Sequence, residues 1–143
     1  MSKSTFSSAA DAEAAFYDAL ARADLEAMMA VWSEDEEVVC VHPGGPRVVG
    51  LAAVREAWRQ VFASGTQLAV STSHHVVSAN TLLTVHNVLE HIADPNVRQT
   101  VTPIVATNVY ARGARGWRMV MHHAAPTPEP GPADSLLTPR VVH

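Results

Sequence analysis

The chain has 143 residues, 48% of them hydrophobic and 17% charged, enough for one globular core and too few for a second domain. Its formal net charge is −4 and Lys3 is its one lysine, so no basic stripe exists for phosphates to follow and nucleic acid is not an expected partner. No apolar run approaches the ~20 residues of a membrane span, and Met1 to Ser8 lacks the basic and apolar regions of a secretory signal, so a cytoplasmic protein without membrane contact is expected.

Ser7 or Ser8 can cap a first helix in which Ala12, Phe16, Ala19, Leu20 and Ala23 form one apolar stripe; Tyr17 falls cleanly on neither side of it. Asp24 caps a short second helix that places Met28 and Trp32 on a shared face. The acidic run Glu34 to Glu37 lacks the alternating ligands of a calcium loop and reads as a solvated turn. Next, the β-branched stretch Val38 to Val41 ends at His42, and Pro43-Gly44-Gly45-Pro46 reverses the path. Cys40 lies within that stretch, where a lone thiol behaves as a small hydrophobe. Gly50 opens a third helix with Val54, Ala57, Trp58, Val61 and Phe62 on one face, and Ser64-Gly65 closes it in the place where a left-handed cap is wanted.

From Thr66 to Ala124 the pattern changes to runs of Val, Thr, Leu and Ile broken by Ser78-Ala79-Asn80, Asp94-Pro95-Asn96 and Gly113-Ala114-Arg115-Gly116. Four strands are expected, about 66–77, 80–92, 98–112 and 116–124, joined by short turns and therefore antiparallel. With the strand ending at His42 they make an α+β fold, helices on one side of a curved antiparallel sheet of five to six strands. Residues 1–125 form the domain; residues 126–143, with five prolines from Pro126 to Pro139 and no apolar period, form an extended arm.

Trp32, the strand ending His42-Pro43-Gly44-Gly45, Gly50, Trp58 with Phe62, and the final strand Gly116-Trp117-Arg118-Met119-Val120-Met121-His122-His123-Ala124 together resemble the nuclear-transport-factor-like superfamily, and within it the SnoaL-like domains of bacteria. The resemblance spans about residues 8–125 and implies a cystatin-like cone of curved sheet wrapped around three helices, usually a homodimer through the outer sheet face. It leaves activity open, since the superfamily includes isomerases, dehydratases, hydrolases, cyclases and a kinase association domain. The aspartate bases of its isomerase and cyclase members have no counterpart here.

Strand parity sorts the candidates without the family. Trp117, Met119, Met121 and His123 share one face of the last strand, taken as inward, and Asn108 and Tyr110 lie beside them across the short hairpin. His86 and Glu90 share a face of the preceding strand, inward or outward by one unit of register. The expected site therefore has His86, Glu90 and His123 as proton-transfer candidates, Trp32, His42, Trp58 and Tyr110 shaping a pocket, and Asn108 orienting a carbonyl. His42, His86, Glu90 and His123 could hold a metal by composition alone, but no ligand-spaced motif supports it, so neither metal nor cofactor is expected. Two functions fit: a small enzyme that isomerises, dehydrates or cyclises a largely apolar molecule by general acid/base chemistry, or a non-catalytic ligand-binding or dimerisation module.

Overall fold

In a computed structural model, residues 5–35, 37–65, 69–93 and 103–127 are described. Three helices, α1 (Ala9–Arg22), α2 (Leu25–Val31) and α3 (Leu51–Ala63), pack on one side of a six-stranded sheet. Its strands are β1 (Val39–Val41), β2 (Arg47–Val49), β3 (Ala69–Ala79), β4 (Leu83–Ala93), β5 (Ile104–Gly113) and β6 (Gly116–Pro126), in spatial order β2-β1-β6-β5-β4-β3. Helices on one face of a largely antiparallel curved sheet make the expected α+β cone. One pairing differs from the all-antiparallel expectation: β1 runs parallel to β6, with Cys40 opposite His122.

Local chemistry sets the helix ends. The Ser8 hydroxyl accepts from the Asp11 N–H at 3.0 Å, and the Asp24 carboxylate accepts from the Ala27 N–H at 3.0 Å. Ala23 does not extend the first stripe; it caps α1 in the left-handed conformation at φ 52°. Gly65, at φ 79°, follows the last turn of α3 and donates its N–H to Phe62 O. Trp32 closes α2 and bridges in parallel to Met119, which ties the helices to β6.

The main core lies between helices and sheet: Phe16, Met28, Val31, Trp32, Val54, Trp58, Tyr110 and Met119 are essentially inaccessible. Cys40 belongs to it, its thiol pushed up to about 12 by burial, which makes it an inert filler of the core.

Two bulges decide which strand residues face inward. In β6, Val120 is one residue too many between the pairs Val109 with Met121 and Tyr110 with Met119. Met119 therefore points inward before the bulge, and His122 and Ala124 point inward after it. In β3 the register slips by one between Ser73 and Val76, where His74 adopts φ 54°. The expected turn at Asp94-Pro95-Asn96 and the arm from Pro128 onward lie outside the described residues.

Candidate functional site

Across the concave face, register places His86 opposite Asn108 and Asn108 opposite His122, one row over β4, β5 and β6. Above this row runs α1, whose Glu13 and Tyr17 stand one turn apart on the flank of its apolar stripe. A continuous polar network results. Asn108 donates its two amide hydrogens to Glu13 Oε2 and to the Tyr17 hydroxyl, each at 3.0 Å, and its Oδ1 accepts from His122 Nδ1 at 2.6 Å. Tyr17 donates to Glu90 Oε2 at 2.7 Å, and Tyr110 donates to Glu13 Oε2 at 2.9 Å.

Every link in that chain has a fixed direction. Glu13 Oε2 accepts only, so the Asn108 amide must turn its nitrogen to α1 and its oxygen to β6. His122 must then carry its proton on Nδ1. Complete burial holds the His122 ring well below its ordinary value, at about 3, with His42 and His123 adding to the effect, so this histidine is a neutral donor. Burial raises the Glu90 carboxyl and the charge of Glu13 adds to it, while the Tyr17 hydrogen bond opposes both. Burial likewise raises the hydroxyls of Tyr17 and Tyr110, helped by Glu90 at the first and by Glu13 at the second, so both act as donors rather than phenolates.

His86 differs from the rest of the row. Its Nδ1 lies 3.0 Å from Glu13 Oε2, yet the ring is not aimed for a hydrogen bond and Nδ1 is left without one, although the side chain is only 8% exposed. The ring rests against Tyr110 with centroids 5.2 Å apart. His86 and Glu13, together with Tyr17 and His75, wall an open groove of about 590 Å³ between α1 and β3, with Ala10, Ala14, Val70 and Val77 as its apolar sides. The β3 bulge turns His75 toward this groove, where its Nε2 stands 4.0 Å from Glu13 Oε1.

The expected site residues thus divide. His86, Glu90, Asn108 and Tyr110 converge on the network. Trp32, Trp58 and His42 make no hydrogen bond in it: Trp32 is sealed in the core, while His42, its pKa lowered by burial, stacks edge-on against Trp58 at 4.4 Å and both rings touch the network only at the His122 ring, 6.5 and 6.0 Å away. His123, expected to look into the cone, is exposed on the outer face, because the extra residue at Val120 inverts the alternation and gives its inward place to His122. Glu13, Tyr17 and His122 were not among the expected residues. Among the described residues no group of three or more His, Cys, Asp or Glu side chains is placed to hold a metal ion, and no helix is long and apolar enough to cross a membrane.

The model of the SnoaL-like domain matches residues 10–128. The chain belongs to the SnoaL-like domain family. Among solved structures, this SnoaL-like domain is similar to a Thiobacillus denitrificans protein provisionally described as a calcium/calmodulin-dependent protein kinase type II association domain, with 36% identity over 87% of this chain and 99% of that one and a TM-score of 0.78. It is also similar to a Streptomyces avermitilis protein provisionally described as a dehydratase of the NTF2-like family, with 28% identity, 82% and 92% coverage and a TM-score of 0.73. An NTF2-like protein of unknown function from Pseudomonas putida shares the fold at 16% identity, 81% and 82% coverage and a TM-score of 0.72. No curated protein matches the chain.

Proposed function

We propose that this SnoaL-like domain binds a small molecule in the groove between α1 and β3, and that His86 with Glu13 can move a proton to or from it. The observation that carries this reading is the His86 ring: buried, on the groove wall, 3.0 Å from Glu13 Oε2 and without a hydrogen bond at Nδ1. A structural histidine on a buried strand is normally satisfied, and an unmet one beside a carboxylate is what a base awaiting substrate looks like. Glu13 is held in place by Asn108 and Tyr110, so the pair has a rigid frame. Glu90 acts at one remove, through Tyr17. The groove volume of about 590 Å³ lies within the range of small-molecule sites, and members of the family often bind or transform such molecules. Reactions that suit one acid/base pair are isomerisation, dehydration and cyclisation, as for the Streptomyces relative described as a dehydratase.

The test is a fragment screen by amide chemical shifts. Hits should displace signals of residues 10–17 and 70–77, and His86→Ala should abolish or strongly weaken them with the rest of the spectrum unchanged. Hits that map only elsewhere, or that ignore His86→Ala, would sink the reading.

A second reading, an assembly module, is favoured by the Thiobacillus relative described as an association domain and by the sheet face turned away from the helices. There Val39, Leu83, Val109, Val120 and Met121, together with Glu37 and Ala111, line a shallow, mostly apolar hollow of about 310 Å³. A homodimer through this face is its consequence, and light scattering at micromolar concentration giving the monomer mass would exclude it.

A further inference from the structure

We infer that the groove selects small molecules carrying a positively charged hydrogen-bond donor, an ammonium head on an apolar body, and turns away carboxylates and phosphates; this rests on the reading of the groove as a ligand site. The division of labour within the Glu13 carboxylate comes first. Oε2 is taken up by the Asn108 amide and the Tyr110 hydroxyl, with the His86 ring 3.0 Å away. Oε1 makes no hydrogen bond among the described residues and faces His75 Nε2 at 4.0 Å, both residues being part of the groove wall. One oxygen is anchored while the other offers its lone pairs to whatever enters.

The sign of the charge comes second. Among the described residues lining the groove there is no lysine or arginine, whereas Glu13 is in its wall. A second carboxylate, Glu90, lies directly behind the Tyr17 hydroxyl at 2.7 Å. The two carboxylates feel each other, since the charge of Glu13 adds to the upward shift that burial gives Glu90. An anionic head would meet no lysine or arginine in the described wall, only the imidazoles of His75 and His86 already set against Glu13, whereas an ammonium would complete the field. An ammonium also carries three donors and no acceptor, which suits a wall offering Glu13 Oε1 and the Thr72 hydroxyl, which lies 3.1 Å from His75 Nε2.

Third, His86 supplies an independent sign that the wall is incomplete. Its side chain is only 8% exposed and its Nδ1 has no hydrogen bond, so hydrogen-bonding capacity is left unused beside the carboxylate. The apolar body has its own place on Ala10, Ala14, Val70 and Val77.

The experiment compares heads on one body: benzylamine, benzyl alcohol and benzoate, with the butyl series of the same three heads alongside, titrated into the full chain at pH 7 and read by amide chemical shifts. Benzylamine or butylamine should displace residues 10–17 and 70–77 and bind at least tenfold tighter than the matching alcohol, and the acids should not bind there. Raising the salt should weaken the amine and leave the alcohol unchanged. Glu13→Gln, which retains an oxygen for Asn108 and Tyr110, should remove the tenfold preference. Should that variant fail to fold, the amine-to-alcohol ratio and its salt dependence in the wild-type chain decide. The inference is overturned if an acid binds as tightly as its amine, or if the preference survives Glu13→Gln or high salt. If an alcohol or acid occupies the groove and the amine has no advantage, the charge argument alone falls; if none of the six probes moves groove residues, the ligand site falls with it.

Discussion

One sheet and one layer of helices enclose two unlike interiors. Beneath α2 and α3 the filling is aromatic and aliphatic: Phe16 meets Trp58 edge-on at 5.6 Å, Trp58 meets Phe62, and Trp32, Met28 and Val54 are sealed. Beneath α1, over β4 and β5, the same concave face carries Glu13, Tyr17, His86, Glu90, Asn108 and Tyr110 joined by hydrogen bonds and charge. The first half is what a fold of this size needs for stability. The second desolvates two carboxylates and so costs free energy that a row of Leu and Val would not. Retaining such a network where packing would serve is the physical argument for a working site. His122 joins the halves, since its ring packs 4.8 Å from Phe16 while its Nδ1 serves Asn108.

The sharpest way to separate the halves is to cut each. Trp58 is 2% exposed and central to the aromatic half, so Trp58→Ala should cost ~3–5 kcal/mol by leaving a cavity, read as a lower urea midpoint at unchanged slope. Asn108→Leu removes a side chain that touches Glu13, Tyr17 and His122 at once and leaves their groups unmet. Its cost should be smaller but substantial, about 2–4 kcal/mol, because desolvated partners lose more than one net hydrogen bond. If Asn108→Leu is neutral or stabilising, the network is dispensable to the fold and the comparison loses its energetic basis.

The halves were unequally legible in the sequence. The aromatic half shows plainly, because the 3.6-residue spacing of Phe16 with Ala12 and Ala19, and of Val54 with Trp58, survives without knowledge of partners. Gly65 and the Asn80 and Gly113 turns were readable for the same local reason. The polar half depends on long-range register. Whether His86 and Glu90 face inward is set by β4 pairing with β5, which no local signal fixes. The bulge at Val120 carries no glycine or proline to announce it, and it alone exchanges His123 for His122. Glu13 and Tyr17 sit on the flank of a helix stripe, where a charged residue ordinarily meets water; their spacing of four was the available clue, and it points to a site only once Asn108 is known to lie below.

Acid should strain the junction next. The His122 pKa is depressed in the fold, to about 3 against an ordinary 6.5, so its contribution is fully present above pH 6.5 and is lost as pH falls from 6.5 toward 3, where the unfolded chain takes a proton that the folded one refuses. The loss should reach ~2 kcal/mol at pH 5. His42, also lowered by burial, acts in the same direction. His122→Asn can still donate to Asn108 Oδ1 and has no titration, so its stability should be flatter between pH 7 and pH 5 than that of the wild-type chain, measured by urea unfolding at both values. An equally steep loss in the variant would place the acid sensitivity elsewhere.

Glu90 gives the smallest effect and the opposite sign, which makes it the finer probe of the polar half. Its folded pKa is raised, chiefly by burial, so the stability it contributes is present below the ordinary carboxylate value and is lost as pH rises through the folded one. Glu90→Gln keeps an acceptor for the Tyr17 hydroxyl, which donates in that contact, and removes the buried charge. The variant should therefore gain stability over the wild-type chain at pH 8 and show less or no gain at pH 4, a change of under about 1 kcal/mol that paired urea melts at the two pH values resolve. Losing stability at pH 8 would mean that the ionised carboxylate is worth more to the network, through Tyr17, than its desolvation costs. In that event the polar half would be a structural device in its own right, and the energetic case for a ligand beneath α1 would rest on His86 alone.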